Sequence, residues 1–253
     1  MAFVLSTSSN VLAEQPKNNS NENGIEYNLP LSSESLMNNI KRFHESLEGS
    51  WKDKFLPDKY TKNVKLNLKQ VGEINPKKNR KIRNYLEHVP DAFQKLLNNE
   101  GYTFFIYDGK FTDFPELASL KGKKIPFINL TWDEISGLTT NKNVYINPNN
   151  IQPRGSKNVP LHETGHAIDR TLGKLWNFPE GKLSNSKKYG KVFEKCKTSI
   201  GKGERQKKLK KELFAEGFAM HYDGFGSRYA QKEVCPEHYN FFNQLEEKII
   251  SGK

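Results

Sequence analysis

Apolar residues recur along this chain with two periods. Spacings of three and four mark helices, and alternation or a short apolar run marks strands. Leu36, Ile40, Phe43 and Leu47 share a face between Ser33 as cap and Gly49 as stop, so a helix is expected there. Val64 to Leu68 alternates like a short strand. Ile82, Tyr85 and Leu86 form the apolar stripe of a strongly basic stretch, Lys77 to Val89. Pro90-Asp91 opens a further helix to Leu97, with Gly101 past its end. Tyr102 to Tyr107 is the clearest strand, aromatic and β-branched, and Asp108-Gly109 is a turn signal. Phe114 to Leu120 reads as a short helix, and Pro126 to Leu130 and Asn143 to Asn147 as short strands. Pro148, Pro153 and Gly155 punctuate a loop before a helix from Asn158 to Leu172, with Gly173 past its end. Tyr189, Val192, Phe193 and Cys196 face inward on a helix over Ser186 to Ser199. Leu213, Phe214, Ala215, Phe218 and Ala219 do so over Glu212 to His221, and Tyr239, Phe242, Leu245 and Ile249 over Pro236 to Ile250. The order of elements predicts an α+β fold, with a small mixed sheet and a mostly helical C-terminal half.

Composition narrows the picture. With 253 residues, 35% hydrophobic and 27% charged, the chain can bury a substantial core and is not membrane-embedded. No apolar run reaches the length of a bilayer span. Ala2-Phe3-Val4-Leu5 and the Val11-Leu12-Ala13 ahead of Glu14 resemble the back half of a signal peptide, so residues 1–13 are expected to be its remnant and the protein to be secreted. Residues 14–30 are rich in Asn, Ser and Glu and are expected to be a disordered linker. The remainder, 31–253, divides into a helical part over about 31–100 and a core over about 101–253. The net charge of +11 attracts anions, whether acidic substrates, anionic lipids or cell-wall polymers. No nucleic-acid-binding signature accompanies it. The lysine-rich run from Lys202 to Lys211 is expected to be solvated. Cys196 and Cys235 are read as buried thiols first, a disulfide second and metal ligands third.

Chemistry concentrates in His162-Glu163-Thr164-Gly165-His166, an H-E-x-x-H pattern. On a helix, positions i and i+4 share a face, so both imidazoles can meet one ion while Glu163 reaches its water. Catalytic zinc takes three protein ligands and keeps one position open. Glu212 and Glu216, one turn apart beside an apolar stripe, are candidates for the third ligand and for an acceptor that orients a ligand imidazole. A surface acidic pair beside Lys207 to Lys211 is the competing reading.

These pieces, with Ala167-Ile168-Asp169 after the second histidine and Asn185-Ser186-Lys187-Lys188 between the two helices, resemble the catalytic domain of anthrax lethal factor and its smaller secreted relatives, the Pro-Pro endopeptidases. The likeness is good over roughly the last 95 residues and loose over the preceding 60 or so. It implies a zincin-like metallopeptidase fold with one catalytic zinc ion on His162, His166 and Glu212 and with Glu163 as base. It also implies a tyrosine upstream of the third ligand that helps to hold the oxyanion. The matching position is read here as Ile200, and Tyr189, His221, Tyr222, His238 and Tyr239 are candidate substitutes. Asn143 to Asn147 is a candidate edge strand for an extended peptide substrate, with an ordinary core strand as the alternative.

The expectation is therefore a secreted zinc endopeptidase acting on a protein or peptide, with proline-directed cleavage implied by the resemblance alone. A toxin-type protease acting on a host protein is the alternative within the class. A basic binding module on the same fold, weak or inactive as a catalyst, is the alternative outside it.

Overall fold

The aromatic and β-branched run from Tyr102 to Tyr107 does produce a strand, β2 (Thr103–Tyr107), and its two faces organise the layers. The computed structural model describes residues 65–126, 129–152, 158–201 and 203–251, all within one unit, His44–Lys253. The expected signal segment, the linker and the helix ending near Leu47 lie outside the described residues. β2 pairs in parallel with β1 (Leu68–Val71) and with β4 (Asn143–Ile146), and β4 pairs antiparallel with β3 (Gly137–Thr139). The order is β1-β2-β4-β3. Phe104, Ile106, Val144 and Ile146 enter the larger core with the helices. Phe105 and Tyr145, stacked at 5.3 Å between centroids, face the other way onto Phe111, Phe114 and Leu117. Both faces are thus covered, which is why the parallel strands read as apolar runs.

Three strand expectations change. β1 lies later than Val64 to Leu68 and ends at Gly72, whose φ of 74° suits a residue without a Cβ. Around Pro126 to Leu130 the described residues form only an isolated bridge, Lys124 to Thr131. Among the described residues the sheet's edge strands are β1 and β3, and Asn143 to Asn147 holds a central strand, as the alternative reading had it.

The helices are α1 (Pro76–Leu86), α2 (Asp91–Asn99), α3 (Val159–Leu175), α4 (Lys187–Cys196), α5 (Glu204–Lys208), α6 (Lys210–Tyr222), α7 (Phe225–Val234) and α8 (Pro236–Ser251). Asn75 caps α1 by accepting from the Lys77 and Lys78 amides, and Ser186 caps α4 by accepting from Tyr189. Phe114 to Leu120 is a 3-10 turn over Pro115–Leu120. α3 runs through Gly173 instead of stopping before it. A Cβ there would stand 2.3 Å from the Lys182 backbone, so this glycine serves a close crossing, not a cap. α7 carries no apolar stripe: Phe225 and Tyr229 are exposed and its buried residue is Gln231.

α6 is covered from Glu212 to Tyr222 and is the central helix of the C-terminal half. Phe241 and Phe242 of α8 close on its Phe214, and Phe242 also on Phe218. Cys196 and Cys235 are joined in a disulfide, so the reading as thiols does not hold. No helix among the described residues is long and apolar enough to cross a membrane.

A buried polar cluster lies behind α6. His238 packs where a Cβ on Gly217 would fall, and its Nε2 meets the Tyr189 hydroxyl at 3.0 Å. Gln231 donates to the Gly217 carbonyl at 2.8 Å and accepts from His221 Nδ1 at 2.7 Å. Burial pushes His238 down to about 3, and burial together with the Arg228 charge does the same to His221. The unfolded chain, with ordinary histidines near pH 6.5, binds more protons below that pH. Stability from these two groups is therefore complete above about pH 6.5 and is lost as the pH falls towards 3. At pH 5 the two together remove up to about 4 kcal/mol relative to pH 7. Urea midpoints should drop between these pH values, and less so in His238→Gln.

Candidate functional site

The site begins where α3 and α6 touch. A Cβ on Gly165 would lie 2.9 Å from the Ala215 Cα and 3.0 Å from the Phe218 Cβ, so glycine sets how closely the two helices approach. A second tie fixes their ends. Asn158 caps α3 by accepting from the Leu161 amide, and its own amide nitrogen donates to Asp223, the residue that ends α6, at 2.6 Å. With the axes held this close, one turn of each helix faces the other.

His162 and His166 project from α3 and Glu212 from α6. Glu212 Oε2 stands 3.6 Å from His162 Nε2 and 3.7 Å from His166 Nε2, and one ligand atom from each residue lies within 4.8 Å of the others. Tetrahedral zinc with bonds near 2.0–2.1 Å places its ligand atoms roughly 3.3 Å apart, so this triangle suits such an ion with little adjustment. Glu216 Oε2 lies 3.3 Å from His162 Nδ1. A proton on that nitrogen turns the Nε2 lone pair towards Glu212, which is the orienting role expected of Glu216. The surface-pair reading fails on burial, since Glu212 and Glu216 are 5% and 1% exposed.

Charge points the same way. Burial works against a charged His162, yet hydrogen bonds to Glu212 and Glu216 and the nearby Glu163 raise it to about 10. Burial likewise opposes a charged Glu212, but the two imidazoles hold it well below the usual carboxylate range. Three carboxylates around two imidazoles form a donor set that calls for a cation.

Glu163 faces the β3 edge. The Thr139 hydroxyl lies 2.7 Å from Glu163 Oε2 and 2.8 Å from the Glu163 carbonyl, its one proton serving either. A Cβ on Gly137 would come 2.7 Å from Glu163 Cγ, so the strand touches the side chain. A cleft of about 130 Å³ opens here, bounded by Ile125, Trp132, Ile135 and Leu138 and by the polar residues His162, Glu163, His166 and Glu212.

Arg170, Lys182, Arg205 and Lys211 line the same cleft. The described part of the lysine-rich run, 203–211, is therefore not simply solvated: Gln206 is buried, and Arg205 Nη2 donates to Glu212 Oε1 at 2.5 Å. That bond leaves Oε2 for the imidazole side. Arg205, Thr139 and Gly137 escape a sequence reading. The first hides in a charge run, and the others sit in a strand of three residues. Arg170 was missed as well, although it follows His166 by one turn of the same helix. Ile200 is buried in the core and offers no donor. Tyr189, His221, Tyr222, His238 and Tyr239 do not line the cleft.

Comparison with known proteins finds relatives over most of the chain. The family model described as anthrax toxin lethal factor, N- and C-terminal domain, matches residues 57–245. A Pro-Pro endopeptidase of Clostridioides difficile (strain 630) is 29% identical over 168 residues, covering 64% of this chain and 73% of that protein. A Pro-Pro endopeptidase of Paenibacillus alvei is 26% identical over 187 residues, covering 72% of this chain and 83% of that protein. The solved structure of the Pro-Pro endopeptidase from Paenibacillus alvei is similar with a TM-score of 0.61 at 26% identity, over 70% of this chain and 96% of that one.

Two substitutions probe the frame. Gly165→Ala should force α3 and α6 apart, costing about 1–3 kcal/mol of stability and weakening metal affinity. Glu216→Gln should weaken metal affinity by about 10–100-fold while leaving the fold in place. Chelator competition for zinc, read beside a urea titration, separates the two effects.

Proposed function

Because this chain belongs to the anthrax lethal factor family, matched over residues 57–245, we propose that it is a secreted, zinc-dependent and proline-directed endopeptidase. One observation carries the reading: His162, His166 and Glu212 converge on a point beside Glu163, in a cleft that borders β3, an edge strand among the described residues.

His162 and His166 through Nε2, and Glu212 through Oε2, are the groups that hold the ion. A zinc ion so held supplies a Lewis acid that activates water near neutral pH and polarises the scissile carbonyl. Glu163 takes a proton from the water as the water oxygen bonds to the carbonyl carbon. The same carboxyl then gives that proton to the amine nitrogen as the carbon–nitrogen bond breaks. Thr139 aims the Glu163 carboxylate through the 2.7 Å contact, and Glu216 holds the His162 ring.

The peptide track is β3. Thr140 donates to the Asn143 carbonyl and Asn147 to the Ser136 carbonyl, so residues 136 and 140 turn their backbone groups towards β4. Antiparallel alternation leaves those of Gly137 and Thr139 on the open side. The Thr139 carbonyl already accepts from Arg170 at 2.9 Å, which leaves the remaining groups for a substrate strand. Ile125, Trp132, Ile135 and Leu138 offer an apolar wall. Pyrrolidine rings suit such a wall because they pack without asking for a backbone N–H bond. The names of the relatives support proline in the substrate. Secretion is supported by the Cys196–Cys235 disulfide, a bond that persists in oxidising compartments.

Zinc content and peptide-library turnover of purified variants test the reading. Glu163→Ala should keep zinc and lose hydrolysis, and His162→Ala should lose both. Undiminished cleavage by the Glu163 variant defeats the mechanism. Zinc binding without any cleavage by the unaltered protein leaves a binding module.

A further inference from the structure

Attack on a peptide carbonyl leaves negative charge on its oxygen, and a donor fixed near that oxygen raises turnover by on the order of a hundredfold or more. The tyrosines and histidines considered from sequence have other partners. Tyr189 and His238 bond to each other, Tyr222 donates to Glu246, His221 meets Gln231, and the Tyr239 ring lies against His221. Among the cations of the cleft, Arg170 is engaged by the Thr139 carbonyl and Lys182 by Glu180 at 2.7 Å.

We propose that Arg205 is the oxyanion donor of this site, an assignment that rests on the metallopeptidase reading above. Its place is set by a ligand. Arg205 stands seven residues before Glu212, and its Nη2 donates to Glu212 Oε1 while Oε2 faces both imidazoles. The guanidinium is thus held one carboxylate's width from the point where the ligand atoms converge. The side chain is 24% exposed, and Nε is buried without a hydrogen-bond partner among the described residues. A guanidinium carries five N–H donors, and the Glu212 contact uses one. Arg205 lines the cleft together with Glu163 and the Gly137–Leu138 edge, which sets its guanidinium beside the space where a bound carbonyl would lie. A guanidinium presents its donors in a fixed planar fork, which suits an oxygen that gains negative charge.

A purely structural Arg205 would only anchor Glu212, and three readouts separate the roles. The first is zinc stoichiometry, the second is kcat and KM for a fluorogenic peptide chosen from the library, and the third is calorimetric affinity for a phosphinic peptide of the same sequence, which mimics the tetrahedral state. For zinc-loaded Arg205→Ala the expected result is full zinc, a KM within a few fold, and kcat lower by on the order of a hundredfold or more. Phosphinic affinity should fall in proportion to kcat/KM, and added guanidinium ion should restore part of the turnover. Arg205→Lys, which keeps the charge but not the fork, should bind zinc and remain at least about tenfold slower. Loss of zinc from both variants reduces Arg205 to a ligand anchor and overturns the proposal. Unchanged kcat overturns it too, as does a loss of phosphinic affinity in Lys211→Met but not in the Arg205 variants. Wild-type protein that binds zinc and cleaves no peptide overturns the peptidase reading itself, a result distinct from these.

Discussion

The spacing between two helix axes governs this molecule. Gly165 lets α3 settle onto Ala215 of α6, and the Asn158–Asp223 bond pins the ends of the same pair. Side chains of ordinary length then reach one point from both helices. A methyl group at position 165 sits at the wrong distance from backbone atoms, which cannot swing aside as a side chain can. The short residue between the histidines is therefore as much a part of the site as the histidines are. The aromatic rings behind α6, from Phe214 to Phe242, hold that helix against α3 from the far side.

Much of this was legible in the sequence because it follows from periodicity. The helix carrying His162 and His166, the helix carrying Glu212 and the strand around Phe104 have strong patterns, and the structure has each of them. The misses have physical causes. β3 spans three residues and includes a glycine, too little for alternation to register. α7 buries one polar residue and so lacks a stripe. Gly173 looked like a stop but answers a backbone crossing from Lys182, a contact between distant parts of the chain. The segment before Glu212 was taken for a solvated charge run because sequence shows the charges and not their partners. Arg205 there turns inward to a carboxylate. The cysteines were misjudged for the same reason: their pairing depends on a Cα separation, 5.7 Å, that no spacing along the chain reveals.

Charge is arranged unevenly. The chain carries a formal net charge of +11, yet Glu163 and Glu212 line the cleft beside Arg170, Lys182, Arg205 and Lys211, and Glu216 is buried against His162. Glu212 stands between the two, with one oxygen on a guanidinium and the other facing imidazole nitrogens. A buried carboxylate is costly unless both oxygens are satisfied, and this one has partners on each.

The brevity of β3 has a consequence for what can be cut. A rail of three residues, with one carbonyl already occupied by Arg170, offers a guest chain few backbone bonds. Affinity must come instead from side chains seated against the wall formed by Trp132 and its neighbours. A polypeptide already folded into helix or sheet has its own backbone groups spent and cannot lie along such a rail. On the reading proposed above, an edge this short takes only chain that is extended and unpaired, and compact folded surfaces stay out of reach of the cleft.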